Sequence, residues 1–234
     1  MTEGPPSYES HFTLELGLHR ELRGKRVVLA SGSPRRKEIM AQMGFPEVEV
    51  CVSGFEENLD KNSMTPWEYV SQTSAKKAMA VYEKLSEDEE APEMVIAADT
   101  ILVLGHEVIE KPCDEKQHFA MLKRLRDSNT PHRVFTAITV IAPMDVPIHP
   151  GYVMKSHLEE TRVKFDPELT DDFLQAYVRC GEGLDKAGGY GIQGKGALLI
   201  ESIQGDYNNI VGLPVRATFK LMEDALNEST DHGY

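Results

Sequence analysis

Two hydrophobic rhythms alternate along this chain, one with the period of a strand and one with the period of a helix. Val27-Val28-Leu29 is a short continuous apolar run, and Ile39, Met40 and Met43 then recur on one side of a helical pattern. Between them Ser33 stands where a helix N-cap belongs and Pro34 at the first helical position; Gly44-Phe45-Pro46 stops the helix. Val48, Val50 and Val52 alternate with Glu47, Glu49 and Cys51, which predicts a half-exposed strand running into the acidic turn Ser53–Asn58. From Thr65 to Leu85 the period is helical, with Thr65-Pro66 and Glu68 as a capped start and Val70, Ala78, Val81 and Leu85 on the inner face. Met94 to Ala98 has the unbroken apolar character of a buried strand and ends in Asp99-Thr100; Ile101 to Leu104 continue it, and Gly105-His106 turns the chain into Val108-Ile109-Glu110-Lys111-Pro112.

The second half repeats the alternation. Asp114 is placed to cap a helix through Arg126 whose apolar side holds Phe119, Met121, Leu122 and Leu125. Residues 133–142 and 152–165 read as two long strands, joined by a surface connector, Pro143 to Gly151, with three prolines. An amphipathic helix over Leu169–Val178 follows, then a loop, a strand over Ala197–Ile203 and a closing helix over Leu213–Leu226. The loop, Gly181 to Gly196, has seven glycines in sixteen residues, a composition suited to backbone that comes close to something. Strands alternating with helices predict one α/β domain over residues 25–228. Residues 1–24 read as a leader, too polar and broken around Gly4-Pro5-Pro6-Ser7 to belong to a core, with a short amphipathic piece (Phe12, Leu14, Leu16, Leu18) that packs onto the domain.

Composition narrows the function. The 234 residues carry 38 acidic against 25 basic side chains, a net charge of −13, which argues against broad nucleic-acid binding. An acidic protein that handles an anion needs a local cationic pocket, often with a divalent metal. Cys51, Cys113 and Cys180 are far apart and form neither a CxxC nor a zinc spacing, so they read as free thiols of a reducing compartment. No apolar run approaches the roughly 20 residues of a membrane span. The start of the chain has neither the basic flank nor the apolar stretch of a signal peptide. The expectation is a cytoplasmic protein with no membrane partner.

Ala30-Ser31-Gly32-Ser33-Pro34-Arg35-Arg36-Lys37 carries the first candidate chemistry. Three cations occupy a helix's first turn, where the macrodipole favours carboxylates. A bound anion would resolve that conflict, because free N–H groups, two serine hydroxyls and two guanidiniums would converge on it; the alternative is a helix start whose arginines face water. Asp99, at the end of an apolar strand, is either a structural capping residue or a metal ligand or general base. Glu56 and Glu57 supply another carboxylate or a solvated acidic loop. Lys77 and Lys111 are cations just outside apolar segments. Gln193 carries both a donor and an acceptor, fit to read the amide edge of a base. There is no GxxxxGK[ST] and no GxGxxG after the first strand, which sets aside P-loop and dinucleotide folds.

Together these pieces resemble the Maf family of nucleoside triphosphate pyrophosphatases. The matching stretches are Ser31–Arg36, Ala98-Asp99-Thr100, Glu110-Lys111-Pro112, Gly189–Gly194 and Gly205–Pro214, in the family's order over about residues 26–226. The resemblance implies an elongated, twisted mixed sheet flanked by helices, with two lobes around a central cleft. It implies hydrolysis of a nucleoside triphosphate between the α and β phosphates, with Mg²⁺ or Mn²⁺ as the divalent metal, and a homodimer. It puts Ser31, Ser33, Arg35 and Arg36 on the substrate, with Lys77 and Lys111 as further charge partners. Asp99 becomes general base or metal ligand, and Glu56 helps to hold metal or orient water. Arg36, Thr100 and Gln193 look like the branch acting on dTTP and UTP rather than on 7-methyl-GTP. The rival expectations are a nucleotide-binding regulator of cell division with little turnover, and a phosphopeptide module that would use only the Arg35-Arg36 turn.

Overall fold

A computed structural model describes residues 14–55, 63–144 and 149–230. The chain forms α1 (Gly17–Glu21), β1 (Val27–Leu29), α2 (Pro34–Gln42), β2 (Glu49–Val50), α3 (Pro66–Leu85), β3 (Met94–Leu104), β4 (Glu107–Ile109), α4 (Glu115–Asp127) and β5 (His132–Pro143). It continues with β6 (Tyr152–Phe165), α5 (Asp171–Arg179), β7 (Ile200–Gln204), α6 (Tyr207–Val211) and α7 (Val215–Thr230). One seven-stranded mixed sheet runs β2-β1-β3-β5-β6-β7, with β4 on the edge of β3. Pairing is parallel between β1 and both β2 and β3, and antiparallel elsewhere.

The long strands β3, β5 and β6 are shared by two lobes. In the first, Leu29, Met40, Ile96, Ile138 and Met222 pack under α2 and α7. In the second, Leu102, Leu122, Phe165, Leu174 and Leu199 pack under α4 and α5. The other face of the sheet is covered along its length by α3, through Ala78, Val81 and Leu85 against Val95 and Ala97, and through Val70 against Ile101 and Val103. The expected capping box fixes where α3 begins: Thr65 accepts from the Glu68 N–H while the Glu68 carboxylate accepts from the Thr65 N–H.

Several elements differ from the sequence pattern. β2 is two exposed residues, not a full strand over Val48–Val52, because its partner β1 is itself only three residues long. The last strand begins at Ile200, since Lys195–Leu199 coil into a 3₁₀ turn. Helix α6 was not foreseen; Asp206 caps it by accepting from the N–H groups of Asn208 and Asn209. Around α1, Leu18 and the C-cap residue Leu22 join the first core, whereas Leu14 is exposed; Phe12 lies outside the described residues. No helix among the described residues is long and apolar enough to cross a membrane.

Candidate active site

Asp99, expected where an apolar run ends and Ile101–Leu104 continue it, lies in the middle of one unbroken strand. β3 runs through to Leu104 because β5 pairs with it continuously from Val95 to Val103. On its other edge β3 has two partners with a gap between them: β1 pairs up to Ile96, and β4 begins at Leu102. Asp99 and Thr100 sit in that notch, where the sheet opens. Neighbours on a strand point to opposite faces, so Asp99 turns toward α3 and Thr100 toward α2 and α6. Both line one cleft of about 560 Å³ that wraps the exposed edge of β3. A larger surface groove of about 1620 Å³, between α1 and α7, holds none of the candidate residues.

On the α3 side Lys77 donates to Asp99 Oδ1 at 2.8 Å, with both side chains nearly buried. The second carboxylate oxygen, Oδ2, takes part in no hydrogen bond among the described residues. On the other side the Arg36 guanidinium joins three parts of the chain. Nε donates to the Gly212 carbonyl at 2.8 Å, Nη1 to Ser31 Oγ at 3.1 Å and Nη2 to Thr100 Oγ1 at 3.0 Å. Thr136 Oγ1 donates to the Asn209 carbonyl at 3.0 Å, so in its 2.9 Å contact with Thr100 the proton comes from Thr100. Arginine, two threonines and a carbonyl thus form a one-way chain from α2 through β3 and β5 to α6. Arg36 is a strap across the cleft floor, not a side chain reaching out alone.

The remaining candidates are distributed as follows. Ser33 lines the cleft but makes no side-chain cap for α2; its N–H donates to Ser31 Oγ instead. Ser31 is buried and does not line the cleft. Arg35, Lys111 and Gln193 all line it. Glu56 lies outside the described residues. The structure therefore brings Asp99, Lys77, Thr100, Ser33, Arg35, Arg36, Lys111 and Gln193 to one cavity.

The glycine-rich loop forms the opposite wall, held by residues that sequence reasoning missed. Tyr190 is buried and meets His132 Nε2 through its hydroxyl at 2.8 Å, within an aromatic cluster with Phe165. Burial pushes His132 down to about 3 and raises the Tyr190 hydroxyl, so both are neutral. The Glu182 carboxylate accepts from the N–H groups of Lys195 and Gly196. Burial alone would raise Glu182, but those two N–H groups, the Tyr177 hydroxyl and Lys186 outweigh it and hold the carboxyl below its usual range. The available signal was the seven glycines, which mark close approach but not the carboxylate being approached.

Asp99 offers an oxygen ligand of the kind a hard divalent cation takes. Mg²⁺ is commonly held by one or two carboxylates plus substrate phosphate oxygens, and Asp99 is one carboxylate lining the cleft. No group of three His, Cys, Asp or Glu gathers among the described residues.

Fold and site together define an α/β protein with a cleft that holds a lysine-paired aspartate and is lined by Arg35, Arg36 and Lys111. The chain belongs to the Maf-like protein family, whose model matches residues 26–225. It is 66% identical to a Schizosaccharomyces pombe dTTP/UTP pyrophosphatase over 100% of this chain and 98% of that protein. It is 41% identical to the dTTP/UTP pyrophosphatase of Saccharomyces cerevisiae over 83% of this chain and 88% of that protein. A human probable bifunctional dTTP/UTP pyrophosphatase/methyltransferase protein is 45% identical over 82% of this chain, the match covering 30% of that longer protein. Among solved structures, Staphylococcus aureus Ham1 aligns at 16% identity over 61% of this chain and 73% of that one, with a TM-score of 0.40, too loose to bear on the fold.

Proposed function

We propose that this protein hydrolyses dTTP and UTP to the nucleoside monophosphate and pyrophosphate. The observation that carries the reading is a nearly buried carboxylate, Asp99, opening into a cleft lined by Arg35, Lys77 and Lys111. A phosphate-binding module would need the cations but not the acid at their centre. Near-full-length similarity to a dTTP/UTP pyrophosphatase supports the same substrate class.

Phosphoryl transfer asks mainly for positioning and charge stabilisation. Arg35 and Lys111 hold the β and γ phosphates, which places the α phosphorus at the β3 notch. Lys77 fixes the Asp99 carboxylate by its Oδ1 and leaves Oδ2 to hold metal or to take the proton of an attacking water. Mg²⁺ or Mn²⁺ bound between Asp99 and the phosphates would withdraw charge from their oxygens. Gln193 accepts from N3–H and donates to a carbonyl of uracil or thymine. We place the enzyme in the cytoplasm as a homodimer; its three free cysteines fit a reducing setting.

The test is initial-rate pyrophosphate release from dTTP, UTP, CTP, GTP and 7-methyl-GTP with Mg²⁺ or Mn²⁺. Preference for dTTP and UTP supports the reading. Preference for 7-methyl-GTP overturns the substrate assignment, and nucleotide binding without turnover overturns the reaction.

A further inference from the structure

Gln193 sits in a six-residue turn, Gly191 to Gly196, whose shape is imposed from beneath by one carboxylate. Glu182 Oε1 accepts from the Gly196 N–H at 2.8 Å and from the Tyr177 hydroxyl at 3.0 Å, and Oε2 accepts from the Lys195 N–H at 2.8 Å. Tyr177 extends the anchor, its hydroxyl accepting from the Gly191 N–H at 3.2 Å. One end of the turn is thus tied to the acid directly and the other through Tyr177, while the Gln193 side chain makes no hydrogen bond among the described residues and Gln193 lines the cleft.

The fit around the acid is close enough to explain the glycines. Gly191, Gly194 and Gly196 do not adopt positive φ, so conformation alone does not require them. A Cβ on Gly194 would stand 2.4 Å from Glu182 Oε2, and one on Gly196 would stand 2.5 Å from the Gly191 carbonyl and 2.9 Å from the Tyr177 hydroxyl. The turn is wrapped onto Glu182 with no room for side chains at these points. Both carboxylate oxygens are engaged by protein donors, so Glu182 acts through the turn.

We infer that Glu182 is the positioning residue for base recognition: its carboxylate, bonded at both oxygens to protein donors, fixes the turn that presents Gln193. The inference rests on the reading, proposed above, that Gln193 meets the pyrimidine. Replacing Glu182 by glutamine leaves one acceptor oxygen for two backbone N–H groups and turns an amide NH₂ toward the other. The turn then loses one end, and Gln193 is no longer held at a single orientation.

The experiment measures kcat/KM for UTP and for GTP in the parent, Glu182→Gln, Gln193→Ala and the double variant, with Tyr177→Phe alongside so that the result does not depend on one variant folding. The expected result is a fall of about tenfold in the UTP-over-GTP ratio for Glu182→Gln, the worth of one misplaced base contact. A smaller fall is expected for Tyr177→Phe, and no further fall when Glu182→Gln is added to Gln193→Ala. An acid that merely stabilises the fold would lower both substrates equally and leave the ratio unchanged; that outcome, with Gln193→Ala altering the ratio, overturns the inference. If Gln193→Ala itself leaves the ratio unchanged, the base-reading role of Gln193 fails instead, and this inference with it.

Discussion

Replacing Arg36 by lysine separates a strap from a substrate clamp, because the two roles differ in what the variant loses. The guanidinium spans Ser31, Thr100 and Gly212 with three bonds of 2.8 to 3.1 Å. A lysine ammonium is a point donor on a flexible stem and can satisfy about one of these acceptors. Hydrogen bonds from a charged donor contribute about 1.5–3 kcal/mol each when well buried. Arg36 is only half-buried, so about 1 kcal/mol for each of two lost bonds is the appropriate scale, about 2 kcal/mol in all. For a chain of this size that lowers the melting temperature by about 4–8 °C. The freed Thr100 and Gly212 loosen the cleft floor, so kcat/KM falls for every nucleotide together. Thermal melts and steady-state kinetics on Arg36→Lys check this. An unchanged melting temperature with a large rise in KM would instead put Arg36 on the phosphates.

Three further outcomes follow from the geometry. Burial holds His132 near 3 against the ordinary 6.5, so the unfolded chain takes up a proton that the folded one refuses. Its contribution is intact above pH 6.5 and is lost toward pH 3, about 2 kcal/mol by pH 5; urea unfolding should show His132→Gln with a flatter loss of stability between pH 7 and 5, and an unchanged slope would contradict it. Gly188 has φ +75° and a Cβ there would lie 2.4 Å from Leu102 Cδ1, so Gly188→Ala should cost about 2–3 kcal/mol, read as a melting shift of about 4–12 °C. Chelation of divalent cations should abolish pyrophosphate release, with recovery on adding Mg²⁺ or Mn²⁺; full activity in excess chelator would remove the metal from the proposal.

The long elements were legible because their signals are local. Thr65, Pro66 and Glu68 mark the start of α3 by capping chemistry within four residues, and β3, β5 and β6 are long apolar or alternating runs. What sequence pattern misplaced depends on distant partners. Asp99 reads as a strand end because it interrupts an apolar run, yet β5 holds β3 together past it; the real discontinuity is on the other edge, where β1 stops and β4 has not begun. The cationic turn at Ser31–Lys37 was recognised, but not that Arg36 is spent on a carbonyl 176 residues away. Helix α6 is a single short turn after Gly205, too brief for periodicity to reveal, although the Asp206 cap was present in the sequence. Glu182 was hidden for the same reason as Arg36: its partners lie 13 and 14 residues on, across a loop with no period.

The most direct test of the central claim is product analysis of UTP hydrolysis by the parent and by Asp99→Asn, with folding checked by circular dichroism. UMP and pyrophosphate in equal amounts are expected from the parent, and a loss of turnover in a folded Asp99→Asn that still binds UTP. UDP and inorganic phosphate as products, or a folded Asp99→Asn that turns over at the parent's rate, would contradict it.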